Sequence, residues 1–461
     1  MKKFLAFLLI LSFLLLTGCG SDSASSLWAD ARQALDRCSC SEQEYSTRVI
    51  ILYEGQKTSE HSWTSVLTKN SDAYSLVTTG SSEAQLCRVS DTLYYTSDCG
   101  SFSSPYSDSA LSSFLTEYFP DVRPETVGSV KLGSGNSEVT FSKPSEELTG
   151  WYEGFLSRQG LTLKSIKDFG GTASVSNGLL SGITMTAECS ASVGTREGYT
   201  VLIESGFRLN SRDENACTPS VPEDSVTFTE CDDVSLVLTL KKAFELAGSS
   251  HAADYTVAGE YSLNVFGVPI SASTRDHIRF SADLLTPDIT FRENYSADLQ
   301  SSADAYFYSY EADYADGSFV LTYGDGSTEQ GEVGAADLIS TVFSAFLEPL
   351  NASELSYYTS IAGTSEKITF EVDGYTLLSM LDTVMTLLDS DASGGVYDST
   401  GVRMEKNDCS VELDKETGAI RSMVCACTFT VYFSDGEDET VTCDLTLTRS
   451  YDAFNSAVTL K

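Results

Sequence analysis

The side chains that most often carry out chemistry are few in this sequence and widely spaced. It has three histidines, His61, His251 and His277, and none stands near another or near a cysteine at a spacing typical of metal ligands. His277 alternates with Arg275 and Arg279 on a predicted strand, which indicates a solvated face rather than a catalytic group. We therefore predict neither a histidine metal site nor a catalytic histidine.

One cysteine pair and one acidic loop have part of a metal-binding pattern. Cys425 and Cys427 lie on one face of a predicted strand and could supply two ligands of a structural zinc, but no second pair is spaced to complete the set. Residues 389–394 match the first half of a calcium loop, yet Thr400 stands where the bidentate glutamate belongs. We expect Cys425 and Cys427 to be buried thiols or to form a disulfide, and we expect no ion in the loop at residues 389–394.

The motifs of the common enzyme classes are missing from the sequence. It contains no GxSxG, no P-loop, no HExxH and no glycine-rich dinucleotide turn. We therefore predict that the protein is not an enzyme and uses no cofactor. An enzyme with clustered polar groups in a cleft is the third of three alternatives considered below.

The first cysteine stands in a pattern with a defined chemistry. Two lysines are followed by an almost unbroken apolar run over residues 4–16, and the letters LTGC end that run at Cys19. This stretch resembles a bacterial lipoprotein signal, in which the Cys19 thiol receives a diacylglycerol and the chain is cut before it. A secretory peptide with an incidental cysteine is the alternative. The resemblance implies a signal peptide over residues 1–18, a lipidated tether over 19–26, and anchoring at the extracytoplasmic face of the cell membrane.

The charge balance excludes one large class of partners. The chain carries 66 acidic against 29 basic residues, a net charge of −37, and the excess is concentrated in residues 234–461. Such a surface repels phosphate backbones, so we predict no nucleic-acid binding. Most of this charge is explained by a solvated surface, and attraction of a basic partner is the alternative.

The remaining cysteines allow disulfides if the chain is exported. Residues 211–225 lose the apolar pattern and contain two prolines, which indicates a linker. Cys217 and Cys231 bracket the proline-containing part of this segment, and we predict a bridge between them. Intact mass before and after reduction tests that bridge.

Apolar periodicity predicts two halves with the same order of elements. Each half begins with a helix, continues as a meander of antiparallel strands, has two further helices and ends in closing hairpins. We therefore predict an internal duplication, with one domain over residues 27–210 and a second over 226–461. The predicted helices cover residues 27–36, 111–119, 146–156, 234–247, 338–347 and 376–388.

This element order behind a lipobox, with the segment SVELDKETGAI in the last hairpin, resembles the LolA and LppX type of bacterial lipoproteins and lipoprotein carriers. The resemblance implies an α+β fold of two tandem curved antiparallel sheets. Each sheet would be an incomplete barrel with a few helices packed on its concave face. It also implies an apolar cavity for acyl chains between helices and sheet.

Two helices present apolar faces that could line such a cavity, although packing against the sheet also explains them. The residues expected to contact a ligand are Trp151, Tyr152, Phe155, Leu377, Leu381 and Val384. Tyr306, Tyr308 and Tyr310 share one strand face and could rim a site or form cross-strand contacts. The first functional hypothesis is therefore a cell-surface lipoprotein that binds a lipid or other hydrophobic molecule. The second is a ligand-free envelope scaffold or protein-interaction module with an acidic outer domain.

Overall fold

The computed structural model describes most of the chain. The described residues are 23–133, 137–194, 196–213, 217–222, 225–265, 267–283, 288–301, 305–315, 317–342, 352–373, 401–432 and 440–454. The lipobox with Cys19, the acidic loop at 389–394 and the helix predicted to carry Leu377, Leu381 and Val384 lie outside them.

Residues of the first half form a sheet of 12 strands, antiparallel except at its last two-residue strand. Its strand order is β12-β6-β5-β4-β3-β2-β1-β11-β10-β9-β8-β7. The strands are β1 (Ser41–Tyr53), β2 (Gln56–Lys69), β3 (Ala73–Gly80), β4 (Ala84–Val89), β5 (Thr92–Ser97), β6 (Gly100–Pro105), β7 (Val127–Leu132), β8 (Glu138–Pro144), β9 (Thr162–Ser176), β10 (Leu179–Val193), β11 (Arg196–Ser211) and β12 (Thr229–Glu230).

The second half forms an antiparallel sheet of 11 strands in the order β18-β17-β16-β15-β14-β13-β23-β22-β21-β20-β19. Without β12, the first sheet has the same order, so the predicted duplication is confirmed as a repeat of topology. The strands are β13 (Ala252–Val265), β14 (Val268–Asp283), β15 (Asp288–Ser301), β16 (Ala305–Ala315), β17 (Ser318–Tyr323), β18 (Thr328–Glu332), β19 (Tyr358–Gly363), β20 (Lys367–Val372), β21 (Gly401–Leu413), β22 (Ile420–Tyr432) and β23 (Thr440–Phe454).

The helices of the described residues are few. The first, α1, covers residues 23–36 and so begins four residues before the predicted start at residue 27. Among the described helices, none combines the length and hydrophobicity that a transmembrane span needs. The other helices are α2 (Asp108–Leu115), α3 (Glu146–Ser157), α4 (Val234–Gly248) and α5 (Ala335–Val342).

Side-chain caps explain where α3 and α4 begin. The Ser145 hydroxyl accepts a hydrogen bond from the Leu148 backbone N–H at 3.2 Å. The Asp233 carboxylate accepts one from the Ser235 backbone N–H at 2.8 Å. Because each cap satisfies an N–H that has no partner inside the helix, the start is encoded locally, and both predicted starts are confirmed.

The two halves share a hydrophobic core that is organised around α4. Nine of its 15 residues are buried, and the partly exposed Ser235, Thr239, Lys242 and Leu246 share one face. It contacts α2, β5 and β6 of the first half and β19 and β22 of the second. One core cluster accordingly contains Leu86 and Phe102 of the first sheet together with Phe429 of the second.

A second core cluster belongs to the first half alone and fills the space between α1, α3 and their sheet. Trp28 of α1 stacks on Phe141 with ring centroids 5.1 Å apart. Tyr152 and Phe155 of α3 are buried in the same cluster. The helices therefore pack on this sheet as predicted, but side chains occupy the space that the family resemblance assigns to acyl chains.

A short segment joins the edges of the two sheets. Thr229 and Glu230 pair in parallel with β6. The backbone of Cys231 forms an isolated parallel β-bridge with that of Ile361 in β19. The next backbone N–H, at Asp232, donates to the Ile361 carbonyl at 3.0 Å. The short strand β12 that follows the predicted linker therefore belongs to the first sheet.

The predicted Cys217–Cys231 bridge is not formed, and both residues are free thiols. Cys217 lies beside Cys40, whose thiol donates to the Asp213 carbonyl at 3.5 Å. The Cys231 thiol instead donates to the Ser103 carbonyl at 3.3 Å. The linker packs along the first sheet, which separates the two thiols.

A buried ion pair holds α4 to the first half. The Lys241 Nζ lies 3.3 Å from Glu117 Oε1, and both side chains are 2% exposed. The same ammonium donates to the Tyr118 hydroxyl at 3.3 Å. Burial lowers the pKa of Lys241, but the combined attraction of Glu117, Tyr95, Tyr118 and Glu245 outweighs it, so the pKa lies above its usual value. Each charge is tolerated in the core only because the other is present.

We expect Lys241→Met and Glu117→Gln to lower the free energy of unfolding by about 3–5 kcal/mol each. The first leaves the buried Glu117 carboxylate without the Lys241 ammonium, and the second leaves the buried Lys241 ammonium without the Glu117 carboxylate. The double variant should lose less than the sum of the two. Urea unfolding with linear extrapolation measures these values. Lys367→Met, which breaks the exposed pair of Lys367 with Glu412, is the control and should cost about 1 kcal/mol or less. Single variants indistinguishable from that control would contradict the assignment.

Candidate functional site

A cleft with a volume of 1120 Å³ lies between the two halves. One wall consists of α3 and α4. The other wall consists of the turn between β21 and β22 together with Tyr451 and Asp452 of β23. A cleft between two packed units that has both aromatic and charged lining is a typical location for a ligand.

Stacked aromatic side chains form the apolar part of the first wall. Trp151 and Phe155 lie one helical turn apart on α3 and stack with centroids 4.8 Å apart at an interplanar angle of 12°. The Trp151 Nε1 donates to the Thr116 carbonyl at 2.8 Å, which fixes the indole. Leu246 of α4 extends this surface.

Two cations lie beside the aromatic surface. The Arg158 guanidinium lies over the Phe155 ring at 5.7 Å and donates to the Glu117 carbonyl at 2.8 Å. Its side chain is 12% exposed. Lys242 of α4 is half-buried and lines the same cleft. Burial and the neighbouring positive charge of Arg158 lower the pKa of Lys242 to about 8.

The charges behind this wall do not balance. The cations are Lys241, Lys242 and Arg158, and the carboxylates close to them are Glu117 and Glu245. Burial raises the pKa of Glu245, which weakens its compensation of the cations. These three cations outnumber the two carboxylates close to them, although Glu153, Asp414, Glu416 and Asp452 also line the cleft. An anionic group bound there would relieve this excess.

A tight turn forms the opposite wall. The Asp414 carboxylate accepts hydrogen bonds from the backbone N–H groups of Glu416 at 3.0 Å and Thr417 at 2.9 Å, and it pairs with Arg421. The bonds from Thr417, followed by that from Arg421, lower the pKa of Asp414 to about 2. Gly418 has φ +70, a conformation that favours glycine. The SVELDKETGAI segment therefore borders the cleft.

The predicted ligand residues fall in different places. Trp151 and Phe155 line the cleft, but Tyr152 is 0% exposed and its hydroxyl points to the Met185 sulfur at 3.7 Å, so Tyr152 is a core residue. Sequence reasoning missed Arg158 and Lys242. The Lys241-Lys242 pair within an apolar helix of an acidic half was the available signal.

The tyrosine row of β16 combines the two roles that the sequence left open. Tyr306 and Tyr308 line a hollow of 190 Å³ with Ala272 and Leu299, so they rim a small site. Tyr310 stacks on Tyr295 of the neighbouring β15 with ring centroids 5.2 Å apart, which is a cross-strand contact. This hollow is too small for more than a small group.

The inner face of the second sheet contains a pair of carboxyl groups. The Tyr310 hydroxyl donates to Glu293 Oε1 at 2.7 Å, and the carboxyl groups of Asp276 and Glu293 share a hydrogen bond. Burial and the charge of Glu293 raise the pKa of Asp276 to about 8, and burial raises the pKa of Glu293 as well. A carboxyl pair of this kind is held together by one proton at neutral pH.

We expect this pair to make stability depend on pH. Because the pKa of Asp276 is raised on folding, its stabilising contribution is complete near pH 4 and is lost as the pH rises through about 8. Asp276→Asn keeps an N–H donor for Glu293 and cannot lose a proton. The melting temperature of the wild type should therefore fall more steeply than that of Asp276→Asn between about pH 5 and pH 9. Glu311→Gln, which replaces an exposed carboxyl on β16, is the control, and parallel curves for Asp276→Asn and wild type would refute the effect.

Comparisons with known proteins give no family. No protein-family model and no curated protein matches this sequence. Among solved structures, the chain is similar to a DUF1329 family protein from Desulfovibrio piger with 7% identity over 50% of this chain and 95% of that chain, at a TM-score of 0.16. It is similar to kievitone hydratase from Nectria haematococca with 9% identity over 89% of each chain, at a TM-score of 0.12.

It is also similar to an AttH protein from Nitrosomonas europaea with 8% identity over 89% of this chain and 92% of that chain, at a TM-score of 0.14. At TM-scores this low, none of these similarities supports an inference about function. The function has to be argued from the cleft.

Proposed function

We propose that the protein binds an amphipathic anion, a molecule with an apolar body and an acid group, in the cleft between its two halves. The observation that carries this proposal is the half-buried Lys242 ammonium beside Arg158, next to the stacked Trp151 and Phe155. Salt bridges of the described residues neutralise Lys241 but not Lys242. This proposal places the ligand between the halves rather than between one sheet and its helices.

Each part of such a ligand has a counterpart in the cleft. The apolar body would lie on Trp151, which the buried Phe155 supports from behind, and on Leu246, where it removes apolar surface from water. The acid group would accept hydrogen bonds from Lys242 and Arg158, and hydrogen bonds between charged groups are the strong ones. Fatty acids and other acyl-chain amphiphiles have this combination of groups.

We further propose that the protein acts by binding rather than by catalysis, and that it does so at the extracytoplasmic face of the cell membrane. The lipobox that ends at Cys19 supports this location, because a diacylglycerol on that thiol would anchor the chain. The acyl chains would thereby bring the cleft close to a source of amphiphiles. The membrane is the partner that this proposal names.

An interaction module is the second candidate function. Tyr306 is 58% exposed on the acidic second half and stacks on Tyr308 of the same strand face with ring centroids 6.4 Å apart. Exposed aromatic side chains close together are more common at protein contacts than elsewhere on a surface. An envelope protein with a basic and apolar surface is the partner that this patch would fit.

The ligand proposal predicts how the full chain binds 11-(dansylamino)undecanoic acid, followed by its fluorescence. Lys242→Met should weaken binding roughly 10- to 100-fold, because one charge-assisted hydrogen bond is lost. Trp151→Ala should also weaken it, and Lys367→Met, which removes an exposed lysine of β20, should not. Affinity should decrease above about pH 8, where Lys242 loses its proton.

The methyl ester of the same probe separates charge from hydrophobicity. The ester should bind more weakly than the acid to wild type, and the difference should shrink in Lys242→Met. Equal binding of acid and ester to wild type, or binding that Lys242→Met and Trp151→Ala leave unchanged, would contradict the proposed function.

The anchoring proposal predicts that the full chain, expressed in bacteria, incorporates an alkyne analogue of palmitate. Cys19→Ser should abolish this labelling and release the protein from the membrane fraction, because the acceptor thiol is removed. Cys231→Ser, which replaces a buried cysteine, is the control and should remain labelled. Persistent labelling of Cys19→Ser would mean that the lipid is attached elsewhere or that the lipobox is not used.

A further inference from the structure

Three metal-ligating side chains come together on the outer face of the second sheet, although they are distant in sequence. Asp254 lies on β13, His277 on the neighbouring β14, and Asp452 on β23, which pairs with the other side of β13. Tyr255 and Ile278, the next residues along β13 and β14, are 0% exposed and point into the core. Since side chains alternate along a strand, Asp254 and His277 point outward.

The three side chains already have a geometry close to that of metal ligands. His277 Nε2 lies 2.7 Å from Asp254 Oδ1. One ligand atom from each of Asp254, His277 and Asp452 lies within 4.8 Å of the other two. Ligands bound at about 2.1 Å to one ion are about 3.0–3.4 Å apart, so small side-chain rotations are sufficient to close the site.

A β-bulge brings the third ligand to this group. In the pairing of β13 with β23, Asp254 is opposite Ala453 while Tyr255 is opposite Tyr451, so Asp452 is an extra residue without a partner. A bulge redirects the side chain of the extra residue, and bulges are common beside functional sites. A regular pairing at this point would place the carboxylate elsewhere.

We propose that Asp254, His277 and Asp452 bind a divalent transition-metal ion, with zinc as the best fit. An imidazole with two carboxylates suits zinc better than magnesium or calcium, which take oxygen ligands alone. Three protein ligands leave at least one coordination position open toward solvent. Asp452 also borders the cleft, so the ion would lie at its rim. This site does not depend on the ligand proposed for the cleft.

Two arginines act against the cation. Arg275 and Arg279 flank His277 on the same outward face of β14, and Arg279 is directly opposite Asp254 on β13. Among the described salt bridges, Asp254 pairs with His277 and not with Arg279. The positive charge of Arg279 should therefore reduce the affinity for a cation without occupying the carboxylate. Removal of the Arg279 charge should increase the affinity for the cation. This increase distinguishes a metal site from a simple hydrogen bond between His277 and Asp254.

Cobalt(II) tests this proposal with the full chain, because it occupies zinc sites and has a visible spectrum that reports its ligands. Calorimetry should show one Co²⁺ bound per chain, and competition should show that Zn²⁺ displaces it. His277→Ala and Asp452→Asn should each weaken binding at least about tenfold, and Arg279→Gln should strengthen it. His61→Ala, which removes a histidine of the first sheet, should have no effect.

Both the spectrum and the variants can overturn the proposal. A thiolate-to-cobalt charge-transfer band would place the ion among the cysteines and refute the site. Binding that is absent in wild type, or unchanged in His277→Ala and Asp452→Asn, would refute it as well. Circular dichroism shows whether each variant is folded. Asp452 is exposed and Asp452→Asn is a conservative substitution, so this variant still tests the site if His277→Ala does not fold.

Discussion

The arrangement of the two halves depends on the burial of α4. Nine of the 15 residues of this apolar helix are buried, and both sheets contact it. This burial also takes Lys241 out of water, and Glu117 of the first half compensates its charge at 3.3 Å. The hydrophobic effect thus determines that the halves associate, and the ion pair favours one position of α4 against the first half.

The same helix accounts for the properties of the cleft. Lys241 and Lys242 are adjacent, so they project from α4 about 100° apart, and only the first reaches the carboxylate in the core. Lys242 is left at the cleft beside Arg158, where burial lowers its pKa. Two neighbouring cations in the cleft of a strongly acidic chain therefore follow from the packing that joins the halves. The candidate binding site is a consequence of their association rather than a property of either half.

The first helices of the two halves pack differently, although the two sheets share one topology. In the first half, α1 and α3 pack closely on the sheet, and Trp28, Tyr152 and Phe155 fill the space between them. The helix at the start of the second half, α4, instead packs between the two sheets. The equivalent helices thus have different roles, because α1 buries four residues on one narrow face whereas α4 buries nine residues over a wider one.

The sequence by itself determined the features that depend on neighbouring residues. Periodicity predicts α3 and α4, and the element order predicts the repeat of topology, because these signals depend on residues close together in the chain. Only the tertiary structure decided that Cys217 lies beside Cys40, that Lys242 lines a cleft, and that His277 meets Asp254 and Asp452. Those outcomes depend on strand register, on one bulge and on the packing of two sheets around a helix, which are contacts between residues far apart in the chain.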